Sequence, residues 1–154
     1  TEDFRRAILI GNLGTAYFNK GEFDKAIEHF NKALDIAFML YGEEHFSIDA
    51  WYNNLGNAYD SKGEHGKAIK YYHKAMDIAK RLYGEDHSSF AIRYGNLGGA
   101  YCNIGEYDKA IQYFQDAIVI SIVTTTIHFI SGFIIHSFLF TRSCLPHKCS
   151  NRSL

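Results

Sequence analysis

The sequence predicts an all-α chain, an α-α superhelix of three successive helix pairs with an apolar C-terminal segment after them. Two observations predict the superhelix. The string N-L-G-x-A-Y begins at Asn12, Asn54 and Asn96, at equal intervals of 42 residues, and self-similarity at a fixed period of this size marks a solenoid. Within each period the apolar residues recur at three- and four-residue steps, which is helical spacing. A third observation predicts the tail, because the pattern stops abruptly after Ile120. Residues 12–53 and 54–95 are identical at 23 of 42 positions, which places the periodicity beyond accident.

The first helix is expected near 3–19. The second, near 24–41, carries Phe23, Ala26, Ile27, Phe30, Ala33, Leu34, Ala37 and Leu40 on one stripe. Glu22 and Asp24 stand at its start, where carboxylates suit the helix dipole, and Gly42 follows as a C-terminal cap. A third helix near 48–61, with Ser47 or Asp49 as its cap, shows Tyr52, Leu55, Gly56 and Tyr59 on one face. The fourth, near 66–83, repeats the second between Gly63-Glu64 and Gly84. The fifth and sixth fall near 90–103 and from 108 to about 122. The array is thus read over 4–120, with repeats at about 4–46, 47–88 and 89–122, and the remainder, 121–154, as a non-repeat tail.

Small residues predict how each pair fits. Gly14, Gly56 and Gly98 recur in the first helices, and Ala26, Ala68 and Ala110 in the second. A helical glycine costs about 1 kcal/mol relative to alanine, so a threefold recurrence implies close helix crossing. Tyr17, Tyr59 and Tyr101, with Phe30, Tyr72 and Phe114, supply the large members of the core.

Composition excludes several classes. With 47% hydrophobic and 21% charged residues and a net charge of -1, the chain is neither disordered nor collagen-like, nor a basic nucleic-acid tail. Three cysteines, Cys102, Cys144 and Cys149, make no disulfide framework, so a reducing, cytoplasmic location is expected. The polar opening TEDFRR is no signal peptide, and a start at Thr1 without methionine suggests a fragment or a processed product, in this reading part of a longer array.

L-G-x-A-Y, followed by G-E-[FY]-x-K-A and then a large aromatic and a further alanine, resembles the tetratricopeptide repeat. The 42-residue period and the L-Y-G-E-[ED]-H connection are similar to the long repeats of kinesin light chains. The resemblance implies a right-handed ramp of helix pairs whose first helices line a concave groove, and hence a non-catalytic scaffold for an extended peptide or a partner helix. The groove positions it implies are Asn12, Thr15, Phe18 and Asn19, then Asn53, Asn54, Asn57 and Asp60, then Asn96, Gly99, Cys102 and Asn103. Asn12, Asn54 and Asn96 form a ladder of carboxamides in this reading. They either bond a peptide backbone, offering both donor and acceptor, or hold the repeats in register. Family members that clamp a terminal carboxylate need Lys or Arg four residues before the groove asparagine. Ile8, Ala50 and Ile92 stand there instead, which argues against that clamp. Arg93 is expected in a solvated or inter-repeat role.

No catalytic or cofactor constellation accompanies the repeats. His45 and His87 recur beside acidic pairs in the connections, and repetition at the structural period marks them as loop-ordering residues. The G-x-x-G strings at Gly11 and Gly95 lie inside helices, so they are not a nucleic-acid loop. Phosphate loop, H-E-x-x-H, nucleophile elbow and C-x-x-C are absent. Cys144, His147 and Cys149 are too few, in one short tail, to predict a metal site. The expectation is therefore no enzyme, no cofactor, no metal and no nucleic acid, with a protein or peptide as partner.

From Ala117 to Thr141 there is no Asp, Glu, Lys or Arg, although His128 and His136 lie within the stretch. Three readings of this segment stand: a membrane span over 118–140 that tethers the groove as an adaptor, a divergent cap, or sequence foreign to the repeat gene. A further alternative makes the array an accessory domain of a larger protein. All 17 acids lie in residues 1–117, and the tail ends in Arg142, Lys148 and Arg152.

Overall fold

The computed structural model describes residues 2–42, 45–84 and 89–143, and among them there are helices and no strands. The order is α1 (Glu2–Asn19), α2 (Phe23–Tyr41), α3 (Phe46–Ser61), α4 (His65–Tyr83), α5 (Ser89–Asn103) and α6 (Tyr107–Ser143). Each helix packs on the next in the chain. In addition α1 touches α3 and α3 touches α5, while among the described residues no Cα of α2 comes within 8 Å of one in α4. The odd helices therefore converge on an inner layer and the even helices splay on an outer one, which is the curvature of an α-α superhelix.

The G-E dipeptide makes the turn within each pair. Gly21, at φ 82°, donates its N–H to the Phe18 carbonyl at 2.9 Å, and Glu22 donates to Tyr17 at 2.9 Å. This is a Schellman closure, which needs the left-handed backbone that glycine adopts without strain. The Glu22 carbonyl then accepts from Ala26 N–H as the first bond of α2. One dipeptide thus ends a helix and begins the next, and Gly63-Glu64 and Gly105-Glu106 repeat the pattern.

The recurrent glycines meet their large partners as expected. A Cβ on Gly14 would stand 2.8 Å from the Phe30 ring and one on Gly98 2.8 Å from the Phe114 ring, and one on Gly56 would overlap the Tyr72 ring. The main core joins Ala26, Phe30, Ala33 and Leu34 of α2 to Ile48, Trp51, Leu55 and Ala58 of α3. A second cluster holds Ala68, Tyr72, Leu97 and Ala100.

Two details differ from the sequence reading. The cap of α3 is neither Ser47 nor Asp49 but His45, whose Nδ1 accepts from the Ser47 N–H at 3.3 Å. Asp49 lies a turn inside the helix, where it is used otherwise, as described below. His45 thereby orders its connection, while His87 lies outside the described residues, as do Cys144, His147 and Cys149. The sixth helix does not end near 122. Its L-Y-G cap is replaced by apolar and β-branched residues, and it continues to Ser143. Thr124, Thr125 and Thr126 donate their hydroxyls back to Ile120, Ser121 and Ile122 carbonyls at 2.9, 2.7 and 2.8 Å. Side-chain back-bonding of this kind satisfies a hydroxyl inside an apolar helix.

Candidate peptide-binding groove

The groove positions lie on α1, α3 and α5, and the structure links them unevenly. Across the second junction, Asn96 Nδ2 donates to Asn53 Oδ1 at 3.1 Å and to Asn57 Oδ1 at 3.4 Å. Asn57 Oδ1 also accepts from the Tyr72 hydroxyl at 2.8 Å. Burial pushes the Tyr72 phenol above its ordinary pKa, so it stays a donor at neutral pH. Lower in the same groove, Asn103 Nδ2 reaches both Asp60 oxygens at 3.3 and 3.4 Å, and His65 Nδ1 lies 2.7 Å from Asp60 Oδ1. Five of the positions, Asn53, Asn57, Asn96, Asp60 and Asn103, therefore form two cross-repeat contacts.

Among the described residues the first junction carries no such bonds. Asn12 and Asn19 are exposed, Asn54 is half-buried, and Thr15 turns its hydroxyl back onto the Gly11 carbonyl at 3.2 Å. The expected ladder thus has no rung from Asn12 to Asn54. The reason is positional: Gly11 and Thr15 occupy the places of Asn53 and Asn57, and glycine offers no carboxamide. Phe18 packs on Phe23, ring centroids 5.7 Å apart, Gly99 borders open space, and Cys102 is a half-buried free thiol.

Sequence reasoning missed what joins the repeats in this layer. At the first junction Trp51 lies directly on Gly11, where any Cβ would fall inside the indole, and it stacks near Phe30 at 6.3 Å. At the second junction the same repeat position is Arg93, which is buried and bonded to Asp49. Of the two roles expected for Arg93, solvated or inter-repeat, the structure shows the inter-repeat one. A signal was present: Leu9, Trp51 and Arg93 share one phase of the 42-residue period and are chemically unlike.

Each repeat also stacks an aromatic from its second helix on the tyrosine of its first. Tyr59 lies on Tyr71 with ring centroids 5.2 Å apart and Tyr101 on Tyr113 at 5.4 Å, with Lys67 and Lys109 over the tyrosines at 5.3 and 5.4 Å. These contacts fasten the helices of a pair. Among the described residues no cluster of three or more His, Cys, Asp or Glu is placed to hold a metal ion.

A tetratricopeptide repeat profile matches residues 5–72 and 49–120. The chain belongs to the tetratricopeptide repeat family. No curated protein sequence matches it. Among solved structures, the tetratricopeptide domain of Arabidopsis FLU is similar at a TM-score of 0.69 and 23% identity, over 76% of this chain and 95% of that one. A kinesin light chain-like protein of Podospora anserina with nearly identical repeats matches at 0.65 and 22%, over 78% of this chain and 57% of that one. The TPR2AB domain of yeast Sti1, in complex with pHSP90, matches at 0.62 and 25%, over 75% of this chain and 41% of that one. The chain spans little more than half of the second and under half of the third. Tetratricopeptide arrays are in general non-catalytic protein-interaction modules, and membership of the family supports a protein-protein interaction scaffold.

Proposed function

We propose that the chain is a non-catalytic cytoplasmic scaffold that takes an extended peptide or a partner helix in the groove of α1, α3 and α5. The observation that carries this is the uneven use of its polar row. Asn53, Asn57 and Asn96 hold one another in register and still have spare donors and acceptors, whereas Asn12, Asn19 and Asn54 have no side-chain partner among the described residues. Carboxamides held in this way read a peptide backbone without demanding a particular side chain. The yeast Sti1 domain in complex with pHSP90 supports a peptide-type partner by likeness, but a carboxylate-clamp mode is disfavoured by Ile8, Ala50 and Ile92.

Selection of a displayed random-peptide library on the protein tests the groove. Peptides recovered on the native chain are expected to lose binding to the Asn12→Ala/Asn54→Ala double variant with no change in its melting. Selected peptides that bind the double variant equally well would place the site elsewhere.

A second reading, a membrane-tethered adaptor, is favoured by α6. The segment Tyr107–Ile127 contains an 18-residue window with a mean hydropathy of 1.3, only 6% of it buried, and the 37-residue helix is about 55 Å long at 1.5 Å per residue, ample for a bilayer. Alkaline carbonate extraction decides it, since release into the soluble fraction removes the anchor. Service as an accessory domain of a larger protein is compatible with either reading.

A further inference from the structure

On the outer helix of the middle repeat, two lysines depart from the period. Lys67 of α4 lies over the Tyr59 ring at 5.3 Å, as Lys25 lies over Tyr17 at 5.2 Å and Lys109 over Tyr101 at 5.4 Å. That contact recurs in every repeat and belongs to the scaffold. Lys70 and Lys74 do not recur together. Their places hold Glu28 and Lys32 in α2, and Gln112 and Asp116 in α6. In those helices the two positions bond each other: Lys32 donates to Glu28 Oε1 at 2.6 Å, and Gln112 Nε2 donates to Asp116 Oδ1 at 3.0 Å. In α4 both are exposed cations one turn apart, and neither forms an ion pair among the described residues. Like charges at i and i+4 oppose a helix, so α4 loses here what α2 and α6 gain.

The lysines stand beside a row of rings. Tyr59 stacks on Tyr71 with centroids 5.2 Å apart, and Tyr52 follows at 6.0 Å from Tyr71. Lys67 holds the Tyr59 end of the row, while Lys74 lies over Tyr52 and Tyr71 at 5.3 and 5.5 Å. Tyr59, Lys67, Lys70, Tyr71 and Lys74 line a depression of about 280 Å³. All but Tyr59 belong to α4, so the depression lies on the outer helix and is separate from the asparagine row of α3 and α5. The one acid paired beside it, Glu64, is already shared by Lys62 and Lys67. Ring faces hold Lys74 in place and leave its charge without a carboxylate.

We propose that this depression is a second docking site, which takes an extended acidic segment of a partner protein. Lys67 and Lys74 are separated by about 10 Å along α4. An extended chain rises about 3.3 Å per residue and sets alternate side chains on one side, about 7 Å apart. Carboxylates two residues apart therefore lie along the row, with their stems on the tyrosine rings, and relieve the repulsion between Lys70 and Lys74. A single phosphate group meets one end of the row only. The chain as a whole carries a net charge of -1, so the attraction is local to this cluster. The site is independent of what the concave groove takes.

Fluorescence anisotropy of a fluorescein-labelled octapeptide of alternating glutamate and serine, titrated with the full chain, tests this. Lys70→Glu/Lys74→Asp gives α4 the residues that α2 and α6 carry at these places, and it is expected to weaken binding about tenfold or more. Lys32→Glu/Lys109→Glu makes the same change of charge on the outer helices of the other two repeats, and it is expected to leave affinity within about twofold. Lys70→Glu alone restores the charge pattern of α2. It is expected to weaken the peptide while raising the urea midpoint of unfolding, a combination that a merely structural lysine does not give. Asn12→Ala/Asn54→Ala is expected to bind the octapeptide as the native chain does, which separates this site from the groove. A native chain that does not bind the octapeptide, or a Lys70→Glu/Lys74→Asp variant that binds it equally well, would overturn the proposal. Equal weakening by Lys32→Glu/Lys109→Glu, or displacement by inorganic phosphate as effective as by unlabelled octapeptide, would overturn it too. A native chain that ignores the octapeptide yet sediments with phosphatidylserine vesicles more than Lys70→Glu/Lys74→Asp does would give the patch to a lipid surface instead.

Discussion

Arg93 of α5 and Asp49 of α3, 44 residues apart in the chain, form a buried ion pair at the second repeat junction. Arg93 is 8% and Asp49 3% exposed. Arg93 Nε donates to Asp49 Oδ1 at 3.0 Å, Nη2 donates to both carboxylate oxygens, and Nη1 donates to the Ser89 carbonyl at 2.9 Å. The guanidinium fork is thereby matched to the carboxylate and to the first turn of its own helix, a geometry that lysine cannot reproduce.

Removing one partner strands a buried charge, so Arg93→Ala and Asp49→Ala are each expected to cost about 3–5 kcal/mol in urea unfolding. The double replacement Arg93→Met/Asp49→Leu is expected to recover most of that loss, because an apolar pair needs no compensation. Losses that simply add in the double variant would show that the two side chains act separately.

The first junction depends on shape rather than charge. Trp51→Ala is expected to cost about 3–5 kcal/mol, and Gly11→Val to lower the melting temperature further than Gly95→Val does. The reason is that a Cβ at Gly11 falls inside the Trp51 indole, while at Gly95 it enters open space. Equal effects at the two glycines would mean that Trp51 moves aside freely.

Within the groove, stability and binding are expected to separate along the chain. Asn96→Ala loses its bonds to Asn53 and Asn57 and is expected to destabilise by about 1 kcal/mol. Asn12→Ala removes a side chain with no partner among the described residues and is expected to stay within about 0.5 kcal/mol of the native protein. Chemical unfolding of the two single variants checks this, and a large loss at Asn12 would give it a structural role.

Acid weakens the turns between paired helices. Hydrogen bonds from Lys20 and Lys25 hold the Glu22 carboxyl at about 2, and bonds from Lys62 and Lys67 hold Glu64 at about 2, against an ordinary 4.5. A carboxyl depressed on folding contributes stability that is complete above its unfolded value and is lost as pH falls toward its folded one. A decline between about pH 4.5 and 2 is therefore expected. It should be shallower in Glu22→Gln/Glu64→Gln and in high salt, since the pairs are at the surface. Thermal melts across that range measure it, and an unchanged slope in the double variant would refute the assignment.

The helix pairs were legible in the sequence because their signals are local. The G-E turn closes through bonds between residues three to five apart, and the glycine-to-ring matches of Gly14, Gly56 and Gly98 recur at the period itself. The groove positions followed only from family likeness. Their pairing did not, since Asn96 bonds Asn53 and Asn57 rather than its own equivalent Asn54. The cap of α3 was misplaced because Ser47 and Asp49 both have cap chemistry, and only the neighbouring α5 shows that Asp49 is committed to Arg93.

By itself the sequence determined that this protein is a three-pair helical repeat of the tetratricopeptide type, since period, turn glycines and apolar stripes act over a few residues along one chain. The tertiary structure alone decided how successive repeats are joined. Leu9, Trp51 and Arg93 are the same position three times over, yet one is open to solvent, one lies on a glycine and one is paired with an aspartate. At Trp51 and Arg93 what the position does is set by the residue that faces it from the preceding repeat, about 40 residues away in sequence, and packing and ion pairing operate through that contact rather than along the chain.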